Sequence, residues 1–278
     1  MRTGIKIAII LSLVVIFSYV AYYLITEYYL PFSEDTDNGD DQQNFILLRQ
    51  EVREDLQKLK MVKRLKDNRG LIYKKDDFKQ ISNYQKYVTP VNLVVKQYQQ
   101  TNGLTTIKSA YEQAVDWIWV SDQTLHGQTE KWLLPAEFIE DTPNNTLYPN
   151  NPVPGNMVSD CESQAYTLVS ILEALGTPKT NVRVVVGNVN FSGEISGHAW
   201  VQVYENNQWF ELEATSGPYW DDDDNELVRS DGFIFSYFKT HPYPVEEYWA
   251  FFNDAFYYDP DPGGLKSPDL PGHWLQNT

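Results

Sequence analysis

The stretch SDCESQAYTLVSILEALG, residues 159–176, carries the single cysteine of this 278-residue chain. Ser159 and Glu162 stand three positions apart before an apolar run, which is the spacing of a capping box at a helix start. The spacing predicts a helix with Ser159 as N-cap and Cys161 in its first turn. Apolar residues then recur at helical intervals and predict a buried stripe that includes Cys161. The other members of this stripe are Ala165, Leu168, Val169, Leu172 and Leu175.

A lone cysteine cannot form a disulfide within its own chain. Cys161 is therefore either a small core hydrophobe or a thiol kept unpaired for chemistry. Its predicted place at a helix start favours the second interpretation, because the helix dipole and the unpaired N–H groups there stabilise a thiolate.

Two segments after the cysteine helix have the composition of strands. Residues 182–189, VRVVVGNV, are rich in β-branched residues and predict a buried strand. Residues 198–215, HAWVQVYENNQWFELEAT, predict a β-hairpin that turns at Asn206–Asn207.

The hairpin turn fixes which side chains share a face. If the turn pairs the two flanking residues, His198, Trp200, Glu213 and Thr215 lie on one face of the hairpin. Glu213 is then the diagonal neighbour of His198, close enough for a carboxylate–imidazole hydrogen bond. Glu211 is on the same face, one step further away. A thiol nucleophile needs such a base and such an orienting carboxylate.

The order of elements predicts an α+β fold. Helical spacing occurs over residues 45–65 and 105–120, before the cysteine helix and the antiparallel strands. The expected organisation is an N-terminal anchor over 1–29, an acidic linker over 30–44, a helical part over 45–130, and a catalytic core with an aromatic C-terminal extension over 131–278.

The three motifs in residues 159–215 resemble the core of the transglutaminase-like superfamily. That family has a cysteine at a helix start, a histidine opening a strand and an acidic residue on the next strand. The resemblance implies a papain-like core whose cysteine helix packs on an antiparallel sheet, with Cys161 as nucleophile, His198 as general base and acid, and Glu213 as the orienting acid. One departure is Leu-Glu-Ala-Thr at 212–215, where the family usually has Leu-Asp-Pro-Thr.

The sequence gives fewer indications of the groups that donate hydrogen bonds to the oxyanion of the reaction. The backbone N–H of Cys161 is the natural first donor. Trp132 and Gln128 are weak candidates for a second one. Trp132 lies in EKWLLPAEF, residues 130–138, which is similar to the segment before the cysteine in bacterial transglutaminase-like cysteine proteinases.

The expected function is acyl transfer through a thioester on Cys161, as a cysteine protease or amidase with a protein or peptide substrate. Two alternatives stay open: a cross-linking transglutaminase, and a non-catalytic binding or scaffold module. No cofactor or metal is expected. The acidic run Asp221–Asp224 lacks the alternating ligands and turn glycine of a calcium loop and is predicted to be a solvated loop. A zinc site from Cys161 and His198 lacks a close-spaced ligand pair.

The N-terminus has the signature of a membrane span. Ile7–Ile25 is uncharged and mostly apolar, and Arg2 and Lys6 precede it. The positive-inside rule predicts a single-pass cell-membrane protein with a cytoplasmic N-terminus and an extracytoplasmic catalytic domain. A cleaved signal peptide is the alternative. The net charge of −16 argues against nucleic-acid binding, because an acidic surface repels phosphates.

Overall fold

A computed structural model of the chain describes Val52, Leu56, Lys75, Gly193 and residues 83–140, 150–155, 157–191 and 195–276. All of them belong to one unit, Val52–Thr278. No helix among these residues is long and apolar enough to cross a membrane. The predicted span Ile7–Ile25, the linker 30–44 and most of the predicted helix 45–65 lie outside the described residues and stay predictions.

The described part of the chain contains six α-helices and nine strands. The helices are α1 (Leu93–Thr101), α2 (Ile107–Ala114), α3 (Asp122–His126), α4 (Pro135–Ile139), α5 (Cys161–Ala174) and α6 (Tyr237–Thr240). The strands are β1 (Ile118–Trp119), β2 (Val158–Ser159), β3 (Val182–Val189), β4 (Ser196–Glu205), β5 (Gln208–Leu212), β6 (Tyr219–Asp221), β7 (Glu226–Val228), β8 (Val245–Phe252) and β9 (Tyr257–Tyr258).

An antiparallel sheet with the order β5-β4-β3-β8-β9 forms the centre of the fold. Its β3 strand and its β4–β5 hairpin confirm the two strand predictions. Glu205 pairs with Gln208 across the turn. Asn206 and Asn207 have φ angles of 53° and 65°, the left-handed conformation that two-residue hairpin turns require.

Helix α5 packs against strands β3 and β4 of this sheet and against α1, α2 and α4. The cysteine-bearing helix therefore lies on an antiparallel sheet, as predicted. It is buried on every side from Glu162 to Glu173, so its buried surface is wider than the predicted stripe. Several of its buried polar side chains form hydrogen bonds inside the protein. Ser170 Oγ donates to the carbonyl of Tyr166 at 2.8 Å, for example.

A second, smaller sheet has the order β2-β1-β6-β7, with β1 parallel to both of its neighbours. The helix predicted over 105–120 was too long, because α2 ends at Ala114 and Ile118–Trp119 forms the central strand β1. This sheet positions two parts of the candidate site. Strand β2 leads directly into Cys161, and β6 follows the turn after Glu213.

The acidic run Asp221–Asp224 is only partly solvated, unlike the predicted loop. Asp221 is buried and accepts the backbone N–H groups of Asp223 and Asp224 at 3.1 Å. Asp222 accepts the hydroxyl groups of Ser121 at 2.9 Å and Thr124 at 2.6 Å. The first two carboxylates therefore hold the β6–β7 turn and the start of α3.

Gly187 generates a prediction about how the sheet holds His198. It pairs with His198 across β3–β4, and a Cβ there would lie 2.1 Å from the carbonyl oxygen of Glu247 on β8. We expect Gly187→Ala to lower the free energy of unfolding by about 1–3 kcal/mol, because β8 must move away from β3. Urea denaturation measures the change. Gly272→Ala is the control, since a Cβ there meets nothing within 4 Å. Equal unfolding midpoints for the two variants would contradict the prediction.

Candidate active site

His198 and Glu213 form a buried pair, with 2.7 Å between His198 Nε2 and Glu213 Oε2. His198 is the third residue of β4, and Glu213 follows directly after the last residue of β5. The contact predicted from the hairpin register is therefore present. Glu211, the more distant carboxylate, instead accepts a hydrogen bond from Gln202 Nε2 at 2.9 Å.

Glu213 is held in place by the turn that it begins. Strand β5 ends at Leu212, earlier than the predicted strand, and Ala214–Ser216 forms a 3₁₀ turn. Glu213 caps this turn, because its Oε1 accepts the backbone N–H of Thr215 at 3.0 Å and the Thr215 hydroxyl at 2.5 Å. Its other oxygen, Oε2, is thereby directed at His198.

The position of Glu213 selects the tautomer of His198. A carboxylate facing Nε2 favours a proton on that nitrogen, which leaves the lone pair of the neutral ring on Nδ1. His198 can then accept a proton at Nδ1 while Glu213 stabilises the resulting imidazolium.

Cys161 is the first residue of α5 and is partly exposed. The backbone N–H of Ala199, the residue after His198, acts on its thiol and lowers the thiol pKa, so the thiol lies beside β4 near the histidine. The predicted capping box is wrong. Ser159 belongs to β2, and its carbonyl accepts the N–H of Val120. Asp160 is the N-cap, with no side-chain capping bond.

The Cys161 thiol has a pKa well above its usual value. Burial is the main cause, and the charges of Glu162 and Asp160 add to it, while the Ala199 N–H lowers the pKa only partly. The predicted stabilisation of a thiolate is therefore wrong. A helix dipole contributes about 0.3–1 kcal/mol, which burial and two adjacent carboxylates outweigh. A thiol in these surroundings needs an adjacent base to become a nucleophile.

Three carboxyl groups meet next to Cys161. One oxygen each from Asp122, Glu130 and Asp160 lies within 4.8 Å of the others. Burial, and then the charge of Glu162, raises the pKa of Asp122 to about 8. Burial, and then the charge of Asp122, also raises the pKa of Asp160 well above its usual value. The Asp160 side chain itself acts in the opposite direction on Asp122 and partly offsets this rise.

These three residues could hold a divalent cation. Carboxylate oxygens are the ligands that Ca²⁺ prefers, and the buried Oδ1 atoms of Asp122 and Asp160 accept no hydrogen bond. His126 Nε2 lies 3.9 Å from Asp122 Oδ1. The sequence analysis considered calcium only at Asp221–Asp224, because nothing local joins Asp122 to Asp160.

The two weak oxyanion candidates lie in different surroundings. Trp132 Nε1 donates to Glu130 Oε1 at 2.6 Å, and its ring packs among Tyr84, Tyr87 and Tyr166. Gln128 is exposed. An oxyanion role for either residue stays a prediction.

Sequence analysis also missed Tyr243. Its hydroxyl donates to Glu213 Oε2 at 2.5 Å. The one local signal is the segment HPYP, residues 241–244, where two prolines flank the tyrosine.

The chain is similar to known proteins in sequence and in structure. Residues 99–214 match the family model of the transglutaminase-like superfamily. No sequence among curated proteins matches the chain. Among solved structures, calcium-bound LapG of Legionella pneumophila is similar at 15% identity and a TM-score of 0.37, covering 60% of this chain and 74% of that one. The EGTA-treated form of the same protein is similar at 15% identity and a TM-score of 0.37, and the match covers 65% of this chain and 91% of that one.

The first prediction from this site concerns the carboxylate next to the thiol. Glu162→Gln removes a negative charge that raises the pKa of Cys161, so the thiolate fraction at pH 8 should increase. We expect iodoacetamide to alkylate Cys161 faster in this variant than in the wild type, because the thiolate is the reactive form. The rate is measured by mass spectrometry in EGTA. The control is Glu173→Gln, near the other end of α5, and equal rates for the two variants would refute the prediction.

The second prediction concerns the three carboxyl groups. The folded-state pKa of Asp122, about 8, exceeds the ordinary value of 3.8. Protonated Asp122 therefore stabilises the folded state fully below pH 3.8, and this stabilisation is lost as the pH rises through 8. In EGTA the melting temperature should fall between pH 5 and pH 8. Ca²⁺ should raise it more at pH 8 than at pH 5, because a cation must displace the proton at low pH.

The stabilisation of the folded state by Ca²⁺ depends on how far the site is saturated. It is about 2.7 kcal/mol when the free Ca²⁺ concentration is 100 times the dissociation constant. Asp160→Asn should abolish it, whereas the exposed Asp269→Asn should keep it. Differential scanning fluorimetry measures both variants. A calcium shift that survives in Asp160→Asn would place the cation elsewhere.

Proposed function

We propose that this protein is a thiol-dependent enzyme that cleaves amide bonds through a thioester. The match of residues 99–214 to the family model of the transglutaminase-like superfamily supports the proposal. Cys161 is the nucleophile, His198 the general base and acid, and Glu213 the group that orients the histidine. The observation that carries the proposal is the buried hydrogen bond of 2.7 Å between His198 and Glu213. The backbone N–H of Ala199, the residue after His198, also acts on the Cys161 thiol.

The first half of the cycle forms the acyl-enzyme. His198 Nδ1 removes the proton from the Cys161 thiol as the sulfur attacks the substrate carbonyl carbon. The carbonyl electrons move to its oxygen, and the tetrahedral intermediate collapses when the C–N bond breaks. The amine leaves with the proton from His198, and a thioester remains on Cys161.

The second half returns the enzyme to its starting state. His198 removes a proton from water, the oxygen attacks the thioester carbon, and the C–S bond breaks. The proton passes to the departing sulfur, and the product is a carboxylic acid. In both halves the oxyanion faces the start of α5. The first-turn N–H groups of a helix have no intrahelical partner, so the Cys161 N–H can donate to the oxyanion.

A protein or peptide amide is the proposed substrate, and water the proposed acyl acceptor. Water needs no binding site, whereas a cross-linking enzyme must hold an amine. One observation favours cross-linking as the second candidate: Glu130, Asp160 and Glu162 all act on the thiol electrostatically, and such carboxylates would attract a lysine amine. We also propose that Ile7–Ile25 anchors the chain, with the catalytic domain outside the cytoplasm.

The decisive variant is His198→Ala. General-base assistance contributes about 10²–10⁴-fold in rate, so we expect loss of His198 to slow alkylation of Cys161 at pH 7 by about 10²-fold. The full chain, purified in detergent, is treated with iodoacetamide and followed by mass spectrometry. His241→Ala is the control, because His241 lies at the end of α6 and stacks on Tyr237 rather than on the catalytic pair.

If Cys161 of the folded wild-type chain does not react, or reacts equally fast without His198, the protein is a non-catalytic module. A second assay identifies the acyl acceptor. Incubation with a protein substrate and a fluorescent primary amine should give new peptide termini and no fluorescent product. Incorporation of the amine would favour the cross-linking candidate.

A further inference from the structure

We propose that Tyr243 is a positioning residue of this site, acting on His198 through Glu213. The inference rests on the proposed function for its role in a reaction, but the hydrogen-bond geometry can be tested without a substrate. It adds a fourth side chain to the cysteine, histidine and glutamate.

The hydroxyl of Tyr243 and the imidazole of His198 share one oxygen of Glu213. Tyr243 OH donates to Oε2 at 2.5 Å, and His198 Nε2 lies 2.7 Å from the same atom. Thr215 occupies Oε1 with two hydrogen bonds. Because donors engage both oxygens, the carboxylate cannot rotate about its terminal bond without losing hydrogen bonds. One lone pair of Oε2 therefore stays directed at His198.

The ring of Tyr243 is fixed by the same group of aromatic residues that supports His198. It stacks on Trp200 with 5.0 Å between ring centroids, and Trp200 stacks on His198 at 6.1 Å. Phe191 and Phe238 pack edge-on against Tyr243 at 5.3 and 4.8 Å. A displacement of Tyr243 would therefore disturb packing on three sides.

The backbone delivers the hydroxyl from a rigid segment. Pro242 and Pro244 flank Tyr243, and each proline ring fixes its own φ angle. The carbonyl of Pro244 accepts the N–H of Asn190, just after β3, at 2.8 Å. The segment is thereby tied to the sheet that carries His198, so Tyr243 approaches Glu213 in a preformed geometry.

The energetic consequence follows from the shared oxygen. Without the Tyr243 hydroxyl, Glu213 Oε2 can turn toward other orientations, and His198 Nε2–H loses a well-aligned acceptor for part of the time. Behind a metal-binding histidine, a comparable supporting hydrogen bond is typically worth about 10–100-fold in affinity or activity. We expect a loss of about tenfold here, because Thr215 still holds Oε1.

The test compares Tyr243→Phe with Tyr248→Phe in the full chain. Phe at 243 keeps the ring and removes only the hydroxyl. The control, Tyr248, also lies against Trp200, at 6.1 Å. Proton NMR at low temperature should show a downfield His198 Nε2–H resonance in the wild type, assigned by its absence in His198→Ala. We expect it to broaden or shift upfield in Tyr243→Phe and to stay unchanged in Tyr248→Phe.

A double-mutant cycle shows whether Tyr243 acts through Glu213. Tyr243→Phe should slow alkylation of Cys161 about tenfold in the wild-type background and have no effect in Glu213→Gln. An equal loss in both backgrounds would mean that Tyr243 only supports packing, and would overturn the proposal. So would an unchanged His198 resonance.

The two proposals fail in different ways. If Cys161 is inert in the wild type, the proposed function fails, yet the His198 resonance still reports on Tyr243. If Cys161 reacts and depends on His198, but Tyr243→Phe changes neither the resonance nor the rate, only the role of Tyr243 fails. Melting temperatures of the variants show that each one is folded.

Discussion

The hydrogen bond between His198 and Glu213 joins residues 15 positions apart in the chain, and the rest of the site is arranged around it. The pair is buried, and a buried carboxylate is costly unless hydrogen bonds compensate its lost hydration. Thr215 and Tyr243 supply that compensation from opposite sides. The β4–β5 hairpin fixes the distance, the turn after β5 orients the carboxylate, and the aromatic stack around Trp200 holds the imidazole.

The parts of this arrangement that sequence analysis predicted are local. Paired asparagines specify the hairpin turn, and the period of two then assigns His198 and Glu213 to one face whatever the rest of the fold does. The helix after Cys161 was also predictable, from its uninterrupted helix-compatible sequence. Its start was placed one residue too early because β2 pairs with β1, about 40 positions away, and this pairing takes Ser159 out of the cap.

What the sequence could not predict comes from elements distant along the chain. Tyr243 reaches Glu213 only because the segment before β8 packs beside β3. Asp122 and Glu130 reach Asp160 only because β1 and β2 are neighbours. The error about the thiol has the same origin. A helix start alone lowers the pKa of a cysteine. Burial by distant elements raises it, the charges of the flanking Glu162 and Asp160 add to the rise, and together they outweigh the effect of the helix start.

Burial strengthens the interaction between Glu213 and a protonated His198, but it destabilises the Cys161 thiolate. This difference restricts how a proton can move between the thiol and the imidazole. For Glu213, a water-poor environment strengthens the interaction with an imidazolium, because the charge is well hydrogen-bonded and close. For Cys161, the same environment penalises the anion. In the proposed reaction, a preformed thiolate–imidazolium pair is therefore disfavoured, and the proton should move as the sulfur attacks. Catalysis of this kind depends on how well the imidazole is oriented when the substrate arrives. Thr215 and Tyr243 are important for that reason, because they fix the orientation of the Glu213 carboxylate.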